Sequence, residues 1–338
     1  MNTVFFQLTA GTDVGLSRSN NEDNFVVSPN LAKSEWFIPN DEIDFVALDK
    51  KGCLLVIADG MGGMNAGEVA SRIAIETVQD LFLADKLEHI IVDDAGQIEA
   101  YMKNAVLAAD TAIKEHALEN KEAAGMGTTL VMAWILDDKA YVAWCGDSRA
   151  YVYHPVNGLR QLSRDHSYVQ ELIDSGKLDE ECAFDHPHNN IITRSLGEPR
   201  KAAEPDYVVY DLHNDETILL CTDGLSGMLR DREIEKIMSE TSANVYECKN
   251  KLIEAALEKG GHDNVTVALC KILSGTKTLN EKKTSRIAAT NIIKVKRSWF
   301  MRLLIIIPVL LLIFLALGYY YMRNTSAKLI DTPQEIQY

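Results

Sequence analysis

Acidic residues recur in this sequence at one kind of place. Leu54–Ala58 is an unbroken apolar run, the pattern of a strand buried on both faces, and it ends at Asp59, followed by Gly60, Met61, Gly62 and Gly63. Thr217–Cys221 is a second such run and leads into Thr222 and Asp223. Asp263 stands just before a third at Val265–Lys271, Asp147 sits in a turn between strands, and Glu22 and Asp23 lie ahead of the strand Asn24–Val27. Any one of these acids reads as a turn former. Together they suggest ends of a sheet converging on something positive, because clustered carboxylates repel one another unless neutralised. The donors are all oxygen, with no histidine at ligand spacing, which favours a pair of Mg²⁺ or Mn²⁺ ions over zinc. Gly60 after Asp59 lets the backbone approach such an ion closely. His262, beside Asp263, reads as a loop residue.

The elements that must position these acids follow from periodicity. Phe5–Leu8 is a first strand, and Gly15–Val27 carries Arg18, Glu22 and Asp23 in a polar loop. Residues 28–51 are irregular and acidic, with Pro29, Pro39 and an exposed-looking Trp36–Phe37, a long hairpin connection that could bind a partner. Gly67–Leu83 and Ile98–Leu118 are amphipathic helices, with Ala70, Ile73, Ala74, Thr77, Val78 and Leu81 striping the first and Met102, Ala105, Val106, Ala109 and Ile113 the second. Thr129–Leu136, Ala140–Trp144 and Ala150–Tyr153 are spaced as an antiparallel meander. Asp165–Gly197 is polar, with a short helix at Tyr168–Ser175, and Glu233–Met238 and Val245–Glu258 read as helices.

Charge divides the 338-residue chain unevenly: residues 276–338 hold ten Lys+Arg and three Asp+Glu, while the rest holds 24 and 46. So acidic a body lacks the basic face that phosphates of nucleic acid require. The six cysteines show no CxxC or zinc spacing and read as reduced residues of a cytoplasmic domain. The start MNTVFFQLTAGTD has neither the basic nor the apolar region of a signal peptide. Residues 303–322 are twenty in a row without a charge, flanked by Trp299, Phe300 and Tyr319–Tyr321, enough to span a bilayer core of about 30 Å. Lys282, Lys283, Arg286, Lys294, Lys296, Arg297 and Arg302 precede this span and face anionic headgroups. The positive-inside rule then gives 1–273 as a cytoplasmic domain, 274–302 as a basic juxtamembrane linker, 303–322 as a single inner-membrane helix and 323–338 as an outer tail.

RSNNED at Arg18–Asp23, ADGMGG at Ala58–Gly63, GTT at Gly127–Thr129, GDSR at Gly146–Arg149, TDGL at Thr222–Leu225 and HDN at His262–Asn264 occur in this order. Together they resemble the metal-dependent serine/threonine protein phosphatases of type 2C (PPM), in the bacterial branch, over residues 4–273. The resemblance implies an α+β fold, a four-layer αββα sandwich of two antiparallel β-sheets flanked by helix pairs, here with a C-terminal transmembrane helix added. It implies that Asp59 bridges two Mn²⁺ or Mg²⁺ ions, with the Gly60 carbonyl on one and Asp223 and Asp263 completing the other. Glu22 and Asp23 would act largely through water, Asn264 would support them, and Asp147 would join Asp223 at a third, weaker ion. Arg18 would grip the phosphate, and with Asp59 it makes the expected catalytic pair. Phosphorylated proteins would be the substrates, contacted by the Asp165–Gly197 flap, and a Ser/Thr kinase at the same membrane would be opposed. Two further readings are a regulatory module of little activity and a phosphatase of small phosphomonoesters.

Two residues bear on mechanism. Some members of the family carry a histidine after the Asp-Gly pair to protonate the leaving alcohol; here that position is Met61, which has no proton to give. Cys221 sits in a strand with no CxxxxxR signature behind it, so attack by water without a covalent intermediate is expected. His186 and His188 in the flap read as structural.

Overall fold

The computed structural model of the protein describes residues 3–37, 43–62, 66–90 and 94–278. The chain runs β1 (Phe5–Asp13), β2 (Asp23–Ser28), β3 (Ile43–Ala47), β4 (Cys53–Met61), α1 (Ala66–Leu81), α2 (Ala95–Glu119), β5 (Gly127–Thr128), β6 (Leu130–Leu136), β7 (Lys139–Cys145), β8 (Arg149–His154) and β9 (Gly158–Gln161). It continues with α3 (Tyr168–Asp174), α4 (Glu180–Ala183), β10 (Asp206–Asp211), β11 (Thr217–Cys221), α5 (Asp223–Ser226), α6 (Asp231–Glu240), α7 (Val245–Glu258) and β12 (Val265–Ser274).

Two antiparallel sheets result. One has the order β3-β1-β12-β11-β8-β9; the other runs β10-β7-β6-β4-β2, with β5 paired to β4. Three buried apolar clusters separate four layers. Ala70, Ala74 and Val78 of α1 and Met102, Val106 and Ile113 of α2 pack on the outer face of the β4-containing sheet. Leu55, Ile57, Val131, Ile218 and Cys270 fill the space between the sheets. Leu252, Ala256, Ile234 and Met238 of α6 and α7 cover the outer face of the other sheet. This is the expected αββα sandwich. Burial on both faces explains why β4 and β6 read as continuous apolar runs although their partners are antiparallel.

Several local expectations shift. The predicted meander ends after β7: β6 and β7 form a hairpin closed at Leu136↔Lys139, but β8 pairs with β9 and β11 in the opposite sheet. The turn at Gly146–Ser148 therefore carries the chain across the sandwich, a choice that strand periodicity does not encode. Residues 28–51 contain β3, an edge strand on β1, and Trp36–Phe37 folds inward, with Phe37 buried between the sheets. Residues 274–278, placed in the linker by composition, end β12 and dock on His213 and Asn214. No helix among the described residues is long and apolar enough to cross a membrane. The expected span 303–322, the rest of the linker and the tail 323–338 lie outside the described residues.

Candidate active site

The expected acids gather where the two sheets meet at one end. Antiparallel pairing of β2 with β4 sets Asp23 opposite Asp59. The other sheet supplies Asp223, which opens α5 one residue after β11, and Asp263, two residues before β12. A direct bond joins the sheets: Asp23 Oδ2 accepts from Thr222 Oγ1 at 2.9 Å and from Thr266 Oγ1 at 2.6 Å. Thr266 Oγ1 also lies 2.7 Å from Thr12 Oγ1. Asp59 is held by its backbone, its N–H donating to Thr129 Oγ1 at 3.1 Å and its carbonyl accepting from Thr128 Oγ1 at 2.7 Å and Thr129 N at 2.9 Å. Gly60 must be glycine, since a Cβ there would lie 2.2 Å from the Gly67 carbonyl and 2.5 Å from that of Glu22.

Packing these acids together raises their proton affinities. Burial, and then the charges of Asp223, Asp23 and Asp147, hold Asp59 well above the ordinary carboxylate range. Asp147 is pushed up by burial and then by Asp223 and Asp165. Asp223 rises through burial and the charge of Asp263, with the charges of Arg18 and Arg149 opposing. Asp23 reaches about 7, burial outweighing its two threonine donors. Such a field calls for positive charge, and a bound dication inverts it.

The donor chemistry fits a hard cation. All the converging donors are oxygens. Among the described residues, the two buried carboxylate oxygens without a hydrogen-bond partner are Asp147 Oδ1 and Asp223 Oδ1, both in this cluster. A buried anionic oxygen is seldom left so, because its desolvation goes uncompensated. Among the described residues, no three His, Cys, Asp or Glu side chains are drawn together as ligands of a single ion.

On the rim, Arg18 is half exposed and its Nη2 donates to Asp263 Oδ2 at 2.7 Å, so the guanidinium expected on a phosphate here neutralises an acid of the cluster. Asn264 lies beside the acids, where its Oδ1 accepts from Glu22 N at 2.7 Å and its Nδ2 donates to the carbonyls of Val14 and Asn20. It thereby pins the Arg18–Glu22 loop to the start of β12. Glu22 is lifted first by desolvation, against the pull of Arg18.

Behind Asp147 stands a set of residues to which the sequence reading assigned no role. His166 Nδ1 accepts from Gly146 N at 3.1 Å, so Nε2 carries the proton toward Asp206 Oδ2, also at 3.1 Å. Burial lowers the pKa of this imidazole and favours that neutral form. Arg149 donates from Nε and Nη2 to Asp165 and from Nη1 to the Tyr151 hydroxyl, which donates to Asp231. Thr128 and Thr129 fall within the GTT stretch; Thr222 and Thr266 carry no local mark beyond lying beside the acids. His186 and His188 form a flap turn with Tyr168, His186 Nδ1 accepting from His188 N at 3.1 Å, in keeping with a structural role.

Residues 38–259 match the family described as protein phosphatase 2C. The serine/threonine phosphatase stp of Listeria welshimeri is 34% identical over 258 residues, covering 76% of this chain and 92% of the relative. The solved serine/threonine phosphatase PstP/Ppp of Mycobacterium tuberculosis superposes with a TM-score of 0.65 at 32% identity, over 80% of this chain and 100% of that one. A structure of the PstP catalytic domain in complex with 2 manganese ions gives 0.63 at 30% identity, with the same coverage.

Proposed function

The chain belongs to the protein phosphatase 2C family of serine/threonine phosphatases, and on that premise we propose that it hydrolyses phosphoserine and phosphothreonine in proteins with two Mn²⁺ or Mg²⁺ ions, tethered to the inner membrane and opposing a kinase there. The observation that carries the metal-dependent reading is the pair of partnerless buried oxygens, Asp147 Oδ1 and Asp223 Oδ1, inside a cluster of mutually repelling acids.

Asp59, the Gly60 carbonyl, Asp223 and Asp263 would hold the two ions, with Glu22 and Asp23 behind them and Asp147 beside Asp223 at a third. When bound, such ions acidify an attacking water and offset charge growing on the phosphoryl oxygens. The chain's own groups do the rest. Thr222 and Thr266 occupy one oxygen of Asp23 and orient the other. Arg18, half exposed and on a flexible stem, can pass from Asp263 to a phosphate, which its planar fork matches. Met61 is paired to Gly127 on the strand and has no proton for the leaving alcohol. Cys221 supplies no nucleophile, since burial pushes its thiol up to about 12.

Phosphate release from a phosphopeptide by the full-length protein with Mn²⁺ tests the reading. Asp59→Asn should lower the rate by about 10³-fold or more, the scale of losing an electrostatic stabiliser of the transition state. An unchanged rate sinks it. Faster turnover of sugar phosphates than of phosphopeptides would favour the small-substrate reading, and no turnover at all the regulatory one. The tether rests on the uncharged residues 303–322 and the basic run before them, with the catalytic domain on the cytoplasmic side. Deleting 299–338 should move the protein from the membrane to the soluble fraction with its activity kept; continued pelleting contradicts the tether.

A further inference from the structure

A buried carboxylate that the chemistry does not use lies in the middle of α2. Asp110 is 3% exposed. Its Oδ1 accepts from Gly197 N at 2.8 Å, and its Oδ2 accepts from Ala203 N at 3.0 Å and from Lys114 Nζ at 2.7 Å. Gly197 and Ala203 bracket the point where the flap ends and the chain turns toward β10. Three donors on two oxygens are what an ionised carboxylate accepts and an amide cannot. The same short segment is tied on its other side to the catalytic strand. Leu196, fully buried, exchanges both backbone hydrogen bonds with Thr128, at 2.9 and 3.1 Å. Thr128 is the β5 residue opposite Gly60, and its hydroxyl donates to the Asp59 carbonyl. Gly197 adopts a φ of +90°, and a Cβ there would meet the Met126 carbonyl at 2.6 Å and Ile113 of α2 at 2.9 Å. The flap's return is thus seated between α2 and the strand beside Met61, and Asp110 is the side chain that holds it there.

We propose that Asp110 is a positioning residue of the phosphatase, fixing the flap's return through two backbone amides and so setting where the flap stands over a bound phosphopeptide. This rests on the flap being the element that contacts the peptide. The bond from Thr128 to Asp59 does not pass through Asp110, so binding of the ions and hydrolysis of a substrate too small to reach the flap are spared when Asp110 is changed.

The test uses the full-length protein with Mn²⁺, a phosphopeptide and p-nitrophenyl phosphate. Asp110→Ala should raise KM for the phosphopeptide about tenfold with kcat within about twofold, and leave kcat/KM for p-nitrophenyl phosphate and Mn²⁺ affinity by calorimetry within about twofold. Amide exchange over residues 197–203 should quicken at least about tenfold. Asp110→Asn keeps an acceptor for Gly197 and should show the same pattern at about threefold; it carries the test if the alanine variant does not fold. Equal losses on both substrates, or unchanged exchange at 197–203, overturn the proposal. Ile191→Ser, an exposed flap change, separates the premise from the inference. If it leaves the phosphopeptide KM unchanged, the flap's role in binding fails. If it raises that KM and the Asp110 variants do not, the role of Asp110 fails.

Discussion

The acid cradle and the flap lie side by side and are held together by different means. In the cradle the backbone does the holding: β2 and β4 fix Asp23 against Asp59, and two threonine hydroxyls from the far sheet close on Asp23. The mutual repulsion of the acids is borne by ladders of hydrogen bonds and by the apolar layers behind them. The flap, 165–197, places few apolar side chains in the core, Val169 and Leu196 among them. Polar contacts hold it instead, with Arg149 on Asp165 at its root, Arg230 on Asp185 and over the Phe184 ring at its tip, and Asp110 at its return. Repelling charges need a rigid frame to stay close. A segment held by exposed polar contacts can be remade without disturbing the core.

The contrast can be broken at graded points. Arg149 is a quarter exposed and its partner Asp165 about a tenth, and Arg149→Met strips three donor contacts from Asp165. Urea unfolding should show a loss of about 2 kcal/mol, between the values typical of exposed and fully buried pairs. A loss under about 0.5 kcal/mol, the range of surface pairs, would make the root as loose as the tip. Thr266→Val removes one of the two hydroxyls on Asp23 and should cost about 1.5 kcal/mol, as for hydrogen bonds to charged groups. It should also weaken Mn²⁺ binding in calorimetry while leaving amide exchange in the flap unchanged; faster flap exchange would show that the two regions are one unit. At the tip, Arg230 is 31% and Asp185 70% exposed. Arg230→Ala should shift stability by no more than about 0.5 kcal/mol. A measured loss above about 1 kcal/mol would put the tip in the same class as the root.

Much of the cradle was legible in the chain itself. Asp59 announces itself by ending an uninterrupted apolar run and Asp223 by following one after a single threonine, and an acid there marks a strand reaching the surface. Val245–Glu258 and Thr217–Cys221 fold with the predicted bounds because pattern, caps and length agree; Asn244, for example, caps α7 by accepting from Tyr246 and Glu247 N–H. Other features were not legible. Thr222 and Thr266 look like ordinary strand residues, since a β-branched side chain suits a strand whether or not its hydroxyl is used. β8 has the same periodicity in either sheet. Trp36 and Phe37 sit among polar and proline residues, which suggested exposure, yet Phe37 N donates to the Val27 carbonyl and its ring enters the core. Asp110 shares a helix with other acids, and only the return of a segment some ninety positions later distinguishes it.

By itself the sequence determined which residue types stand at strand ends, that their donors are oxygen, and that twenty uncharged residues follow a basic run near the C-terminus. Those properties are local, read from neighbours a few positions apart. Only the tertiary structure decided which ends meet. Thr222 reaches Asp23 across 199 positions and Thr266 reaches it across 243. No local preference encodes such a meeting. It arises as the apolar faces of the two sheets and of α1, α2, α6 and α7 cover one another, and the acids at the strand ends are carried together by that burial.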